Sequence, residues 1–260
     1  MKKIIALAMA VTMVLALSAF AASAAGFNPE VNQVYRANDL AGAEAGKNGF
    51  TFYAAEKGNY KPSELKNVTY KQGDWGSIVW ENSELAQFGV SVMFWDNGID
   101  AGFKFFPNRN QMVLAFTSPV EGNVTLGIEA GFEKGSGTPK TDIRLVRANG
   151  KLIGEKLTVT ANAPENSGNY GRSDDNSKAS ATIEVKQNET VYLYVEDTGD
   201  DGLFTTHVWM DITYNRLGAD PNAGKDDSGK DNPGTGNALP VIIAVAAVSL
   251  AGIAVSGKHR

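Results

Sequence analysis

The strongest constraint on the fold is a series of short segments in which apolar and polar residues alternate, separated by turn signals. In residues 89–95, Val90, Val92 and Phe94 fall on one face of an extended chain. Asn149-Gly150 separates two further alternating segments, and this dipeptide is a strong short-range hairpin signal. Turn signals recur about every 8–12 residues, as in sandwiches and barrels. We therefore predict an all-β fold, a β-sandwich or, as the alternative, a barrel.

Both ends of the chain depart from this pattern. Residues 1–25 start with Lys2 and Lys3, continue with an apolar stretch and end in small residues, as secretory signal peptides do. Cleavage after Ala24 and cleavage after Ala25 both fit the sequence. The predicted β-sandwich domain then covers residues 26–217, and a polar, flexible linker covers residues 218–231.

The C-terminal segment, residues 232–260, combines a Pro/Gly-rich start, an apolar run at 238–255 and a basic end with Lys258 and Arg260. The run is long enough to form a helix that spans a bilayer, and basic residues stay on the cytoplasmic side. An ordinary transmembrane anchor would need the same two features. The segment differs from such an anchor because a distinctive pentapeptide precedes the run. Its residues are Asn232, Pro233, Gly234, Thr235 and Gly236.

This order of elements resembles the cell-wall sorting signal of Gram-positive surface proteins. The resemblance implies that a sortase recognises the pentapeptide, cuts between Thr235 and Gly236, and joins the Thr235 carbonyl to peptidoglycan. The best-known signals begin Leu-Pro, whereas this one begins Asn232-Pro233, so the sortase class stays open. The implied localisation is secreted and anchored to the cell wall.

Composition narrows the partners of the predicted domain. The chain has no cysteine, so a secreted sandwich must be held by its core or by a metal ion. The formal net charge of −5 and the lack of a basic patch argue against a nucleic-acid partner. Asp197, Asp200 and Asp201 lie in one Gly-containing loop and form a candidate calcium site, with a solvated turn as the alternative. No other cofactor is expected.

Catalysis has little support in the sequence. There is no cysteine nucleophile, and the two histidines, His207 and His259, belong to no recognisable catalytic motif. We therefore predict a protein that is not an enzyme. Aromatic side chains could instead bind a glycan, because sugar rings present apolar faces that stack on them. The candidate glycan contacts are Trp75 and Trp95 at strand–turn junctions and Tyr170 in a polar loop.

Several strand and turn segments resemble those of jelly-roll modules similar to carbohydrate-binding modules. They are residues 46–53, 115–126, 184–195 and 209–214. The resemblance implies an antiparallel β-sandwich that is jelly-roll-like and that binds a polysaccharide or host glycan without catalysis. A surface adhesin or structural protein that binds a protein partner is the alternative, and a small glycosidase or lyase is a third reading.

Overall fold

The computed structural model describes residues 27–85, 89–96, 100–133, 140–159, 165–166, 169–199 and 205–219. The elements used below are β1 (Val34–Arg36), α1 (Ala37–Leu40), β2 (Phe50–Ala55), β3 (Lys66–Asn67), β4 (Thr69–Gln72), β5 (Ile78–Asn82), β6 (Val90–Phe94), β7 (Phe103–Phe106), β8 (Gln111–Thr117), β9 (Gly122–Phe132), β10 (Thr141–Arg147), β11 (Leu152–Val159), β12 (Glu165–Asn166), β13 (Asn169–Tyr170), β14 (Ser177–Val185), β15 (Thr190–Asp197) and β16 (Thr206–Leu217).

All of these strands except β12 and β13 form two antiparallel sheets that pack face to face, and β12 and β13 pair with each other. The larger sheet has the order β14-β9-β16-β7-β6-β5-β4, and β1 pairs with β16 beside it. The smaller sheet has the order β11-β10-β15-β8-β2-β3. The chain passes repeatedly from one sheet to the other after β7, as expected of a jelly-roll-like sandwich. The predicted antiparallel β-sandwich is confirmed.

Alternation in sequence becomes alternation of burial in the strands. In β6, Val90, Val92 and Phe94 are buried while Ser91 and Met93 are partly exposed, as predicted. The Asn149-Gly150 hairpin also forms between β10 and β11, where the Gly150 amide donates to the Arg147 carbonyl at 2.8 Å. The polar segment that contains Tyr170 ends where β14 begins, at Ser177, and β14 pairs with β9.

The core lies between the sheets and is rich in aromatic rings. Phe52 of the smaller sheet meets Phe94 and Phe103 of the larger sheet, with ring centroids 5.5 and 5.7 Å apart. Phe94 and Phe103 lie 5.1 Å apart. Edge-to-face and tilted contacts of this kind stabilise the fold beyond the contribution of the apolar area they bury. This continuous apolar core takes the place of the disulfide bonds that the chain lacks.

Both predicted terminal segments, the signal peptide at 1–25 and the sorting segment at 232–260, lie outside the described residues. So does the linker beyond residue 219. Within the described ranges, no helix is both long enough and apolar enough to span a membrane.

Candidate functional site

Trp75 has the largest exposed fraction of the large apolar side chains in the described part of the chain, at 93%. It occupies the turn of the β4–β5 hairpin, which the Gly73 amide closes by donating to the Ser77 carbonyl at 3.0 Å. Its φ of 59° lies in the left-handed region, which is costly for a bulky residue. An aromatic ring held in solvent by a strained turn is suited to contact with a partner.

Trp95, the second predicted contact, follows β6 directly and lies at the same end of the larger sheet as Trp75, because Ile78 of β5 pairs with Phe94. Trp95 is only partly exposed. The Lys104 ammonium sits 5.3 Å from its ring centroid, a cation–π contact. One face of Trp95 is thus engaged within the protein, which leaves Trp75 as the freer ring of the two.

Tyr170, the third predicted contact, ends β13, and its side chain lies outside what the structure describes. The loop that follows folds over the outer face of the larger sheet, where Arg172 donates to both oxygens of Asp211. Arg172 also lies 3.9 Å from Asp100 and 4.0 Å from Glu129. The structure therefore places Tyr170 next to a charged anchor on a sheet face, apart from the turn that carries Trp75.

Asp197, from the candidate calcium loop, is buried and uses both carboxylate oxygens within the protein. They accept from the backbone amides of Arg109 at 2.8 Å and Gly199 at 2.9 Å. Asp200 and Asp201 lie outside the described residues. Within the described ranges, no group of three or more acidic or histidine side chains is arranged to hold a metal ion. Calcium at this loop therefore stays a prediction.

His207 is fully buried on the outer side of β16 and has structural partners. Its Nδ1 lies 2.9 Å from the Ala101 carbonyl oxygen, and its Nε2 lies 3.4 Å from Glu133 Oε2. The hydrogen bond from His207 lowers the pKa of the Glu133 carboxyl, and nearby Lys104 acts in the same direction against burial. These contacts tie β16 to the segments on either side of it.

A cluster of tyrosines that sequence reasoning missed lies on the outer face of the smaller sheet. Phe52 and its neighbours point into the core, so the alternate positions Tyr53 of β2, Val113 of β8 and Tyr194 of β15 point away from it. The strand registers place these three side by side, followed by Arg144 of β10. We call this row, together with Tyr192, the tyrosine face.

The tyrosine face has an open part and a covered part. Tyr53 and Tyr192 are partly exposed, whereas Tyr194 and Val113 are completely buried. Burial raises the pKa of the Tyr53, Tyr192 and Tyr194 hydroxyls, so all three stay neutral hydrogen-bonding groups at physiological pH. Neutral phenol rings with hydroxyls at their rims match the mixed apolar and polar character of a sugar ring.

Residues 56–65 form the cover, and we call this loop the strap. It joins β2 to β3 and folds back across β8, so that Tyr60 packs edge-on against Tyr194 with centroids 5.5 Å apart. The Arg144 guanidinium lies 4.5 Å from the centre of the Tyr60 ring. The Tyr60 hydroxyl donates to Glu196, and burial raises the pKa of that carboxyl, with Lys57 and the Gly58 amide acting against the rise.

Three buried polar atoms around the tyrosine face lack a hydrogen-bond partner in the described part of the protein. They are Tyr194 Oη, Arg144 Nε and Gln111 Oε1. Buried polar groups are nearly always paired, with the protein, with water or with a ligand. The three atoms are a hydroxyl, a hydrogen-bond donor and a hydrogen-bond acceptor at the edge of an aromatic surface. The hydroxyl groups of a sugar ring can form hydrogen bonds with all three.

One sequence signal could have revealed this face. The first six residues of β15 are Thr-Val-Tyr-Leu-Tyr-Val. Large side chains therefore lie on both faces of the strand, although one face of a sandwich sheet is normally exposed to solvent. Such two-sided strands are covered on both sides. No local sequence pattern indicates that β15 pairs with β8 and that β8 pairs with β2, which places Tyr53 and Tyr194 on either side of Val113.

Comparison with known proteins found no matching family model and no matching curated protein. Three solved structures are described here from among those with partial similarity to this chain. A family 35 carbohydrate-binding module from Clostridium thermocellum has 12% identity and a TM-score of 0.30, covering 56% of this chain and 97% of that module. The C-terminal family 6 module of a laminarinase from Zobellia galactanivorans has 13% identity and a TM-score of 0.26, covering 63% and 99%.

The third is the K3 adhesin domain of Lys-gingipain from Porphyromonas gingivalis, with 10% identity and a TM-score of 0.29, covering 64% of this chain and 91% of that domain. Identities and TM-scores this low are no evidence for a shared ligand or activity. The evidence for the fold is the pairing of this chain's own strands, and it makes the chain an antiparallel β-sandwich.

Proposed function

We propose that the protein binds a glycan without catalysis, through the open part of the tyrosine face. The observation that carries this proposal is the combination of partly exposed Tyr53 and Tyr192 with unpaired polar atoms on the same surface. Sugar rings offer apolar C–H faces to aromatic rings and hydroxyls to polar groups. Arg144 adds a donor in a fork geometry beside the rings.

The test compares retention of the purified protein on insoluble cellulose, xylan, mannan and chitin, and in gels that contain soluble polysaccharides. We expect retention on at least one of these, and at least tenfold weaker binding in Tyr53→Ala and Tyr192→Ala. Tyr70→Ala is the matched control, because Tyr70 is an exposed tyrosine on β4 of the other sheet. Failure of every polysaccharide to retain the protein would overturn the proposal.

The alternative, a surface adhesin that binds a protein, calls for a contiguous exposed apolar patch. In the described part of the chain, the exposed large apolar residues are spread over β1 and its approach, the β4–β5 hairpin, β11 and β16. This distribution does not favour a protein partner over a glycan. In the retention experiment, binding to immobilised proteins with no binding to glycans would support the adhesin.

We further propose that the protein is secreted and displayed on a Gram-positive cell wall by sortase processing at residues 232–236. The support is the sequence order of pentapeptide, apolar run and basic end. Thr235→Ala should move the protein from the wall fraction to the membrane or the medium. Gly229→Ala, a change in the linker just upstream, is the matched control; unchanged wall retention of Thr235→Ala would exclude sorting.

A further inference from the structure

The strap is an imperfect cover for the surface beneath it. Tyr60 fills space between the Tyr194 ring and the Arg144 guanidinium, and its single polar atom is directed at Glu196. Tyr194 Oη and Arg144 Nε stay unpaired beneath it, within the described part of the chain. The strap therefore covers the apolar rings of this surface but leaves its polar atoms without hydrogen-bond partners.

We propose that the strap occupies a further sugar-binding subsite, in which the Tyr60 ring takes the place of a sugar ring and is displaced by it. The inference rests on the proposed glycan-binding function of the open tyrosine face. The occupant is the next residue of the same glycan chain, a neutral hexose or pentose ring. Its hydroxyls pair with Tyr194 Oη, Arg144 Nε and Gln111 Oε1, which Tyr60 leaves unpaired.

Few contacts hold the strap to the sheet. Only Tyr60 and Leu65 of its ten residues pack against the outer apolar cluster. Some of its polar contacts are internal, as between Asn59 Nδ2 and Glu64 Oε2 at 2.9 Å and between Lys61 and Glu64 at 2.9 Å. Besides Tyr60, Lys57 and the Gly58 amide interact with Glu196 of β15. A segment with its own hydrogen bonds and little buried apolar area can leave the surface as a unit.

The strap also has a pivot at its start. Gln111 Nε2 donates to the Glu56 carbonyl at 2.8 Å and fixes the first strap residue to β8. Gly58 follows with a φ of 76°, and no atom beyond its two chain neighbours lies within 4 Å of the position a Cβ would occupy. Rotation about Gly58 can therefore lift Tyr60 while Glu56 stays in place.

Charged groups from β10, from β15 and from the strap itself lie around Tyr60. Glu196 accepts from Tyr60, Lys57 and the Gly58 amide favour the ionised form of Glu196, and Asp197 opposes it. Arg144 faces the ring from β10. None of these groups must change its charge for a sugar ring to replace Tyr60, so displacement is driven by binding.

The experiment measures binding of disaccharides and hexasaccharides from β-1,4-glucan, β-1,4-xylan and β-1,4-mannan to the full chain and its variants by calorimetry. For the retained sugar, Tyr60→Ala should tighten hexasaccharide binding at least threefold and change disaccharide binding less. Tyr194→Phe in the Tyr60→Ala background should abolish that gain. Tyr60→Phe is the matched control, because it keeps the ring and loses only the hydroxyl bond to Glu196.

The outcomes separate the two proposals. Hexasaccharide affinity that is unchanged or weaker in Tyr60→Ala, with binding still lost in Tyr192→Ala, would overturn the strap subsite and leave the proposed function standing. Absence of binding in the wild type and in every variant would overturn both. Thermal melting of each variant identifies any loss of affinity that comes from misfolding.

Discussion

Arg172 and Asp211 form a bidentate ion pair, with Nη1–Oδ2 at 2.7 Å and Nη2–Oδ1 at 2.6 Å. Burial disfavours the charge on Arg172, but Asp211, Asp100 and Glu129 together raise its pKa above the ordinary value. Arg172 follows the β12–β13 hairpin, and Asp211 lies in the middle of β16. The pair therefore fastens the loop next to Tyr170 to the larger sheet.

Replacing Arg172 should loosen this loop. Arg172→Ala leaves the half-buried Asp211 without its strongest partner, and we expect a loss of about 2 kcal/mol in the free energy of unfolding. Urea denaturation measures the loss, and limited proteolysis should show faster cleavage within residues 165–176. Arg216→Ala, which breaks the ion pair with Glu184, is the control. Equal cleavage of that loop in both variants would contradict the role of Arg172.

Trp75 combines a strained backbone with an exposed ring, and two substitutions separate these properties. Trp75→Gly relieves the left-handed strain and Trp75→Ala does not, so the glycine variant should be more stable by about 1 kcal/mol in denaturant titrations followed by circular dichroism. Both variants lack the ring, which belongs to the larger sheet and not to the tyrosine face, so both should retain polysaccharide as the wild type does. Loss of retention in both variants would add Trp75 to the binding surface.

The fold was predictable because its evidence is local. Val90, Val92 and Phe94 alternate within one strand, and Asn149-Gly150 encodes its own turn. The candidate site was only partly predictable. The neighbouring Gly73 and Gly76 indicate a turn at Trp75, and the structure places the Trp75 ring in solvent.

The tyrosine face could not be predicted in this way, because its members come from separate parts of the chain. Tyr53 and Tyr194 come to lie on either side of Val113 only through the register of β2 on β8 and of β8 on β15. Tyr60 reads as an ordinary loop residue until the strap is seen to fold back on β15. Sheet order and loop path are global properties that turn signals do not contain.

Glu196 should make stability depend on pH. Its folded pKa is raised by burial, so its contribution to stability is complete below the unfolded value and is lost as pH rises through the folded value. Glu196→Gln keeps an acceptor for Tyr60 and has no charge to bury. Its melting temperature should exceed that of the wild type at pH 7 by about 2–4 °C and match it near pH 4.

Differential scanning calorimetry from pH 4 to 8 checks this prediction. Glu64→Gln is the control, because Glu64 is an exposed strap carboxyl whose pKa is lowered by hydrogen bonds from Lys61 and Asn59. For Glu64 the sign is reversed, so its contribution disappears as pH falls. A constant difference between wild type and Glu196→Gln across the pH range would contradict a raised pKa.

Gly102 should tolerate no side chain, for two separable reasons. Its φ is 67°, and an added Cβ would lie 2.8 Å from both the Trp209 ring and the Val208 carbonyl oxygen. Gly102→Ala should therefore cost roughly 2–5 kcal/mol, the sum of backbone strain and overpacking against a completely buried tryptophan. Gly150 has a similar φ of 80° but open space where a methyl group would lie, so Gly150→Ala should cost about 1 kcal/mol.

Urea denaturation of both variants measures the two losses in the free energy of unfolding, and their difference is the steric part. Equal losses would mean that Trp209 can shift at little cost, and that the contact between this ring and the segment before β7 does not fix the position of β16.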